Sequence, residues 1–112
     1  MSKTLPAADQ MAALGEPTRR NIIEILSVCP SSVADIARQL PVSRPAVSQH
    51  LRVLKDAGLV TLRIEGTRNI YQLDPKGVAA LRDHLDSLWQ TALEQFKTTA
   101  QRASPPRKER RK

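Results

Sequence analysis

The 112-residue sequence predicts a mainly α-helical domain carrying one small β-hairpin. Three observations lead there. Apolar residues recur three and four apart through most of the chain. Only 60–73 breaks that rhythm, with two β-branched and aromatic runs around a glycine turn. Proline and glycine fall where helices would start and stop, not inside them.

Residues 1–5 are expected to be flexible, and Pro6 opens a short helix to Leu14 that Gly15 breaks. Its apolar residues, with Leu5, Ala8, Met11, Ala12 and Leu14, suggest packing and specify no chemistry. Pro17 starts a second helix. Ile22, Ile25, Leu26 and Cys29 follow at i, i+3, i+4 and i+7, so Cys29 is expected to complete a buried stripe before Pro30 ends the helix. Ser32 to Leu40 reads as a third helix, with Ser32 and Asp35 as a capping-box-like pair over a face of Val33, Ile36, Ala37 and Leu40.

After Pro41-Val42 comes the stretch of greatest interest. Ser43 is an N-cap and Pro45 suits the first turn, where missing backbone donors cost nothing. Val47, Leu51 and Leu54 make a narrow apolar stripe, and Gly58 is the left-handed stop. At about 100° per residue, Pro45, Ser48, Gln49 and Arg52 project from the opposite side. That outer face is polar and basic. Two short amphipathic helices joined by a tight turn, the second capped and basic outside, read as a helix-turn-helix. Val60–Ile64 and Asn69–Leu73 form a hairpin around Glu65-Gly66-Thr67-Arg68, with Arg63 and Arg68 flanking its tip. A basic-tipped hairpin in that position reads as a wing that lies along DNA.

Asp74 as N-cap and Pro75 at the first position begin a long helix. Val78, Leu81, Leu85, Leu88, Ala92 and Phe96 follow a 3-4-3-4-4 spacing, widened by Trp89 and Leu93. A helix of roughly 25 residues spans about 37 Å, too long for this domain to cover its own apolar face. A partner helix is implied, most simply that of a second copy. The chain is thus expected to hold a winged helix-turn-helix and dimerisation domain over 6–101, and a disordered basic tail over 102–112.

The formal charge is +7, but Arg107–Lys112 holds five basic residues and one acid, so that stretch accounts for +4 and the rest for +3. Nucleic acid is the first expectation for a partner, an anionic membrane surface the second. A single cysteine excludes an intrachain disulfide, and there is neither an apolar leader nor a span-length apolar run, so a soluble cytoplasmic protein without membrane attachment is expected. No Ser/His/Asp or Cys/His set, Gly-rich phosphate loop or carboxylate pair supports catalysis, so neither enzyme activity nor a cofactor is expected.

Ala13-Leu14-Gly15-Glu16-Pro17-Thr18-Arg19-Arg20 and Val42-Ser43-Arg44-Pro45-Ala46-Val47-Ser48-Gln49-His50-Leu51 together resemble the ArsR-type bacterial winged-helix repressors. The likeness continues through Leu54-Lys55-Asp56-Ala57-Gly58-Leu59-Val60 and Gly66-Thr67-Arg68-Asn69-Ile70-Tyr71-Gln72-Leu73, covering about residues 7–98. It implies a homodimeric DNA-binding repressor near its own promoter, released by an effector. It also implies dimerisation through the first and last helices, which points to Leu5, Met11, Leu81, Leu85, Leu88, Trp89, Ala92 and Phe96. The chain departs from the metal-sensing members. Residues 32–40 hold no cysteine, and the last helix has Asp83, His84 and Asp86 but no second histidine. With two histidines and one cysteine in all, no metal site is expected.

Ser48, Gln49 and Arg52 are candidates for major-groove readout, since glutamine pairs with adenine and arginine with guanine. Ser43 and Arg44 sit at the helix N-terminus, where backbone donors suit a phosphate, and Arg44 reads as a phosphate contact; Pro45 is a DNA-contact candidate on the outer face. Lys55 and Arg63 are weaker phosphate candidates, and Arg68 a better one, because a hairpin apex has little structural need of it. His50 beside the apolar stripe reads as a packed or backbone-bonded histidine, Cys29 as a buried inert thiol, and Trp89 and Phe96 as dimer core. Arg19 and Arg20 read as solvated charges placed against their helix dipole. The alternative function is a winged-helix module for protein docking without DNA; its outer face would be apolar, not Ser, Gln and Arg.

Overall fold

The computed structural model describes residues 6–103. Leu5, the expected flexible start and residues 104–112 of the expected tail lie outside them, while Arg102 and Ala103, expected in that tail, are the end of the last helix. The elements are α1 (Pro6–Ala13), α2 (Pro17–Val28), β1 (Ser31–Ser32), α3 (Val33–Ala37), α4 (Arg44–Asp56), β2 (Val60–Glu65), β3 (Arg68–Leu73) and α5 (Pro75–Ala103). Residues up to Leu81 form one compact unit, and α5 from Arg82 onward forms a second.

Helix boundaries follow local chemistry. The Glu16 carboxylate accepts the N–H of Arg19 at 3.1 Å ahead of Pro17, and Ser32 Oγ accepts the N–H of Asp35 at 3.2 Å. Ser43 Oγ accepts the N–H of Ala46 at 3.2 Å, and Asp74 Oδ1 that of Lys76 at 3.0 Å. Helix α4 ends in a Schellman motif. Gly58 stands at φ 82°, its N–H donates to Lys55 O at 2.9 Å, and Leu59 N–H donates to Leu54 O at 3.0 Å.

The helix expected over 32–40 is only Val33–Ala37. From Arg38 on it tightens into turns in which Gln39 N–H reaches Ile36 O and Leu40 N–H reaches Ala37 O. Pro41 explains this: its ring disfavours helical backbone at Leu40, so the last turn narrows before the chain bends. Cys29 also departs from expectation. It is exposed, not buried, because α2 ends at Val28 and Cys29 is an extended C-cap at φ −165°, ψ 154°. The 3.6-residue period no longer aims its side chain inward once the helix has stopped.

The expected hairpin is part of a three-stranded antiparallel sheet in the order β1-β3-β2. Glu65 pairs with Arg68 across a two-residue Gly66-Thr67 turn, with Gly66 alone at positive φ. On the other side Ser31 pairs with Tyr71 and Ser32 with Ile70. Two serines carry no strand periodicity, so this edge was not legible in sequence. It ties the wing to the residues that launch α3.

The core gathers Ile22 and Leu26 of α2, Ile36 of α3, Val47, Leu51 and Leu54 of α4, Leu59 just before the sheet and Val60 of β2, and Ile70 of β3 is buried as well. Each such side chain contributes about 1.5–3 kcal/mol by leaving water. The inward stripe of α4 is therefore clamped from three sides, and its opposite face is set rigidly outward. Leu81, expected in a dimer face, is half-buried and packs on this core.

The start of α5 is locked to the end of α4. Buried Gln10 donates Nε2 to Gly77 O at 2.9 Å, and a Cβ built on Gly77 would lie 1.6 Å from Gly58 O. Backbone meets backbone there, so nothing flexible can yield. Gly77→Ala is expected to cost about 3 kcal/mol or more and to lower the thermal midpoint by roughly 10–20 °C. An unchanged midpoint in a melting experiment would count against this contact.

Candidate nucleic-acid interface

Helix α4 presents its outward arc from a fixed base. By helical geometry, Arg44, Lys55, Ser48, Arg52, Pro45 and Gln49 fall within about 140° of one another; Ser48, Arg52, Pro45 and Gln49 face away from Val47, Leu51 and Leu54, and Arg44 and Lys55 border that stripe at Leu51. All six are exposed, while the three apolar residues are fully buried. Asp56 closes the same arc at its C-terminal end, an acid that the four-residue outer face read from sequence did not include. Among the described residues the ion pairs engage Arg38, Arg63 and Arg68 and leave Arg44, Arg52 and Lys55 without an acidic partner. Cations and amides free of internal bonds, on a helix clamped behind, suit phosphates and base edges. Ser43 begins this helix, and its hydroxyl oxygen is already used as the cap.

The wing differs from its reading in sequence. Arg63 is not a free cation at the tip: Nη1 donates to Gln72 Oε1 at 2.9 Å and Nη2 pairs with Glu65 Oε2 at 2.6 Å, within the sheet. Its first role is to brace the hairpin. Arg68 does have a structural engagement, contrary to expectation. Its Nη2 donates to Asp35 Oδ2 at 3.2 Å, reaching across to α3, while its side chain stays 59 % exposed. Asp35 also pairs with Arg38 one turn later. Arg38 went unnoticed in the sequence, although a cation three residues after a helix-start acid was a usable signal.

Hydrogen bonding from Ser32, with the guanidiniums of Arg38 and Arg68 beside it, holds the Asp35 carboxyl below its ordinary value. With a depressed pKa, the stabilisation is complete above the ordinary carboxylate pKa of about 3.9 and is lost as pH falls through the lowered value. The carboxylate is therefore ionised throughout the neutral range.

Arg19 and Arg20 are not simply solvated. Arg19 Nε donates to Ala13 O at 2.6 Å and Arg20 Nη1 to Leu14 O at 2.7 Å, both at the carbonyl-rich end of α1. That offsets their unfavourable place at the start of α2. Arg19 Nη1 also lies 3.3 Å from His50 Nδ1, which must then accept, since arginine only donates. His50 is thus half-buried and held by a side chain, consistent with a packed histidine.

Beyond the core unit, α5 exposes Leu85, Leu88, Trp89, Leu93 and Phe96, with Trp89 at 66 % and Phe96 at 71 %. Ala92 is exposed on the same face, and Met11 is exposed on α1. Large apolar side chains this exposed at helical spacing need a cover. Among the described residues, no three His, Cys, Asp or Glu side chains gather where a metal ion would sit.

Comparisons with known proteins converge on one family. Residues 16–61 match the model described as bacterial regulatory protein, arsR family. The chain is similar to the HTH-type transcriptional regulator Rv2034 of Mycobacterium tuberculosis, 60% identical over 81 residues, covering 72% of this chain and 76% of that protein. Among solved structures it resembles a possible transcriptional regulator for arsenical resistance, with TM-score 0.69, 44% identity, and 82% of this chain and 96% of the other covered. It also resembles the homodimeric winged helix-turn-helix DNA-binding domain Mb0332 of Mycobacterium bovis, with TM-score 0.63 and 27% identity over 85% of this chain and 95% of that one. Family match, relatives and wing geometry agree: the chain belongs to the ArsR family of bacterial DNA-binding transcriptional regulators, which are not enzymes.

Proposed function

We propose that this protein is a homodimeric repressor that reads an inverted-repeat operator, in the first instance near its own promoter. The observation that carries the reading is the rigid outward arc of α4, with exposed Ser48, Gln49 and Arg52 backed by fully buried Val47, Leu51 and Leu54. Gln49 and Arg52 are the base readers, and Ser48 is permissive. Arg44, with Pro45 and the capped N-terminus at Ser43, takes a phosphate, as does Lys55. The wing adds a flanking phosphate contact through Arg68, while Arg63 keeps the hairpin in shape.

The exposed stripe of α5, Leu85, Leu88, Trp89, Ala92 and Phe96, is covered by its counterpart in a second copy, with Met11 adding to that face. Leu5 belongs with them by position in the chain and lies outside the described residues. Two-fold symmetry then demands two half-sites whose centres are one helical turn, about 34–36 Å, or a multiple apart. None of the described helices is long and apolar enough to cross a membrane. DNA as the partner places the protein's work in the cytoplasm.

The docking-module alternative finds less support, because the outer face of α4 is polar where a docking face would be apolar. The test is a footprint of the purified protein on DNA from its own upstream region, with random duplex as competitor. A symmetric protected pair of half-sites supports the reading; binding to no DNA at low salt overturns it. Arg68→Ala is expected to weaken operator and random duplex alike, and to flatten the salt dependence by about one ion. Loss of operator preference alone would instead make Arg68 a base reader.

A further inference from the structure

We propose that Asp35 is a positioning residue for DNA binding: its carboxylate holds the wing guanidinium of Arg68 against the helix-turn-helix, pre-set for a phosphate. The inference rests on the reading that the wing touches DNA.

The two residues are thirty-three apart in the chain and meet at 3.2 Å. The short ladder explains how. Ser32 lies opposite Ile70, so the acid three residues after the one and the cation two before the other come to the same side of the sheet edge. Asp35 itself is held: its N–H is bonded to Ser32 Oγ, and Arg38 pairs with the same carboxylate from the end of α3. Arg68 is thus anchored to a short helix whose Ile36 is fully buried in the core.

The contact does not use up the arginine. A guanidinium offers five N–H donors in a rigid fork, and Asp35 takes one edge through Nη2. With the side chain 59 % exposed, the rest of the fork stays open to a phosphate. Arg38, at 67 % exposed, sits on the other side of the same carboxylate, so two guanidiniums bracket one acid with a net charge of one positive. A long, flexible arginine at a hairpin tip loses rotamer freedom when it meets DNA; an arginine already held loses less.

Two effects of Asp35 therefore oppose each other, and their signs differ. A surface acid near a phosphate-facing wing repels DNA over a distance near the screening length of about 8 Å, so removing it tightens binding. An acid that pre-sets a cation helps binding, so removing it weakens binding. At so short a contact with an exposed but anchored arginine, the positioning effect is expected to dominate.

The test is a double-mutant cycle read by fluorescence anisotropy on a random-sequence duplex, since phosphate contacts do not depend on base sequence. The full chain, Asp35→Asn, Arg68→Ala and the double variant are titrated between about 50 and 200 mM salt. Asp35→Asn is expected to weaken binding about fivefold in the native background. In the Arg68→Ala background it is expected to have no effect or to tighten binding. Asp35→Ser is run beside it, as a second short polar residue in the first turn, with the same coupling expected. Tighter or equal binding by both Asp35 variants in the native background overturns the proposal. So does equal weakening in both backgrounds, which would mark a fold defect. A null result for Arg68→Ala overturns the wing reading itself, and is distinct from weakening by Arg68→Ala without coupling, which overturns only the role of Asp35.

Discussion

Exchanging Gln49 and Arg52 together for alanine is expected to erase the preference for operator over random DNA while leaving the fold intact. Each side chain is exposed on α4, and surface substitutions of that kind usually change stability by less than about 0.5 kcal/mol. A good bidentate pairing is worth about 1–3 kcal/mol of discrimination. Two per half-site therefore represent about 2–6 kcal/mol, or roughly 30-fold to more than 10⁴-fold in the specificity ratio. Arg52 also neutralises phosphate charge at a distance, so some loss on random duplex is expected too. The measurement is the ratio of the two affinities in a competition assay at one salt concentration. An unchanged ratio would remove α4 as the reader of sequence and reopen the docking alternative.

Trp89→Glu with Phe96→Glu is expected to produce a monomer that no longer protects paired half-sites. Both aromatics are largely exposed on α5, and each buries about 150–250 Å² when covered. At about 25 cal/mol per Å², losing both and placing charges there removes several kcal/mol from self-association, more than about a hundredfold in its dissociation constant. The core of Ile22, Leu26, Ile36, Leu51 and Leu54 lies entirely within the unit that ends at Leu81, so cooperative unfolding should survive. Sedimentation velocity reads the mass, and a footprint reads the half-sites. A variant that stays dimeric would move the interface off this stripe.

The contrast between the two variants separates two layers of function. Under the proposed function, changing the α4 face is expected to alter what is read, and changing the α5 face how many half-sites are read at once. At the start of α5, Gly77 lies against Gly58 and Gln10 bonds the Gly77 carbonyl.

Much of this was legible in sequence, for reasons visible residue by residue. Ser43, Pro45 and Gly58 mark the limits of α4 because caps, missing donors and left-handed backbone act within one turn of the chain. The buried set Val47, Leu51 and Leu54 follows from the 3.6-residue period, and the polar arc is simply its complement. Asp74 and Pro75 announce α5 in the same local way. Cys29 shows the limit of that reasoning. The period that placed it inward holds only while the helix lasts, and α2 ends one residue earlier. The helix expected to run to Leu40 likewise stops at Ala37, because Pro41 acts backward on the turn before it.

Local chemistry thus determined which segments are helices, where most of them start and stop, which face of each is apolar, and that Ser48, Gln49 and Arg52 share an outer surface. Only the tertiary structure decided the rest. A two-residue strand pairs Ser31 and Ser32 with β3, Arg63 is spent inside the wing, Arg19 reaches His50, and Arg68 is held by Asp35. Apart from that of Arg63, these contacts join residues far apart in the chain, and all depend on ladder register and side-chain reach, not on any period. A one-dimensional pattern records which residues can bury or bond; which partners they meet is set only when the core closes and brings the sheet edge against α3.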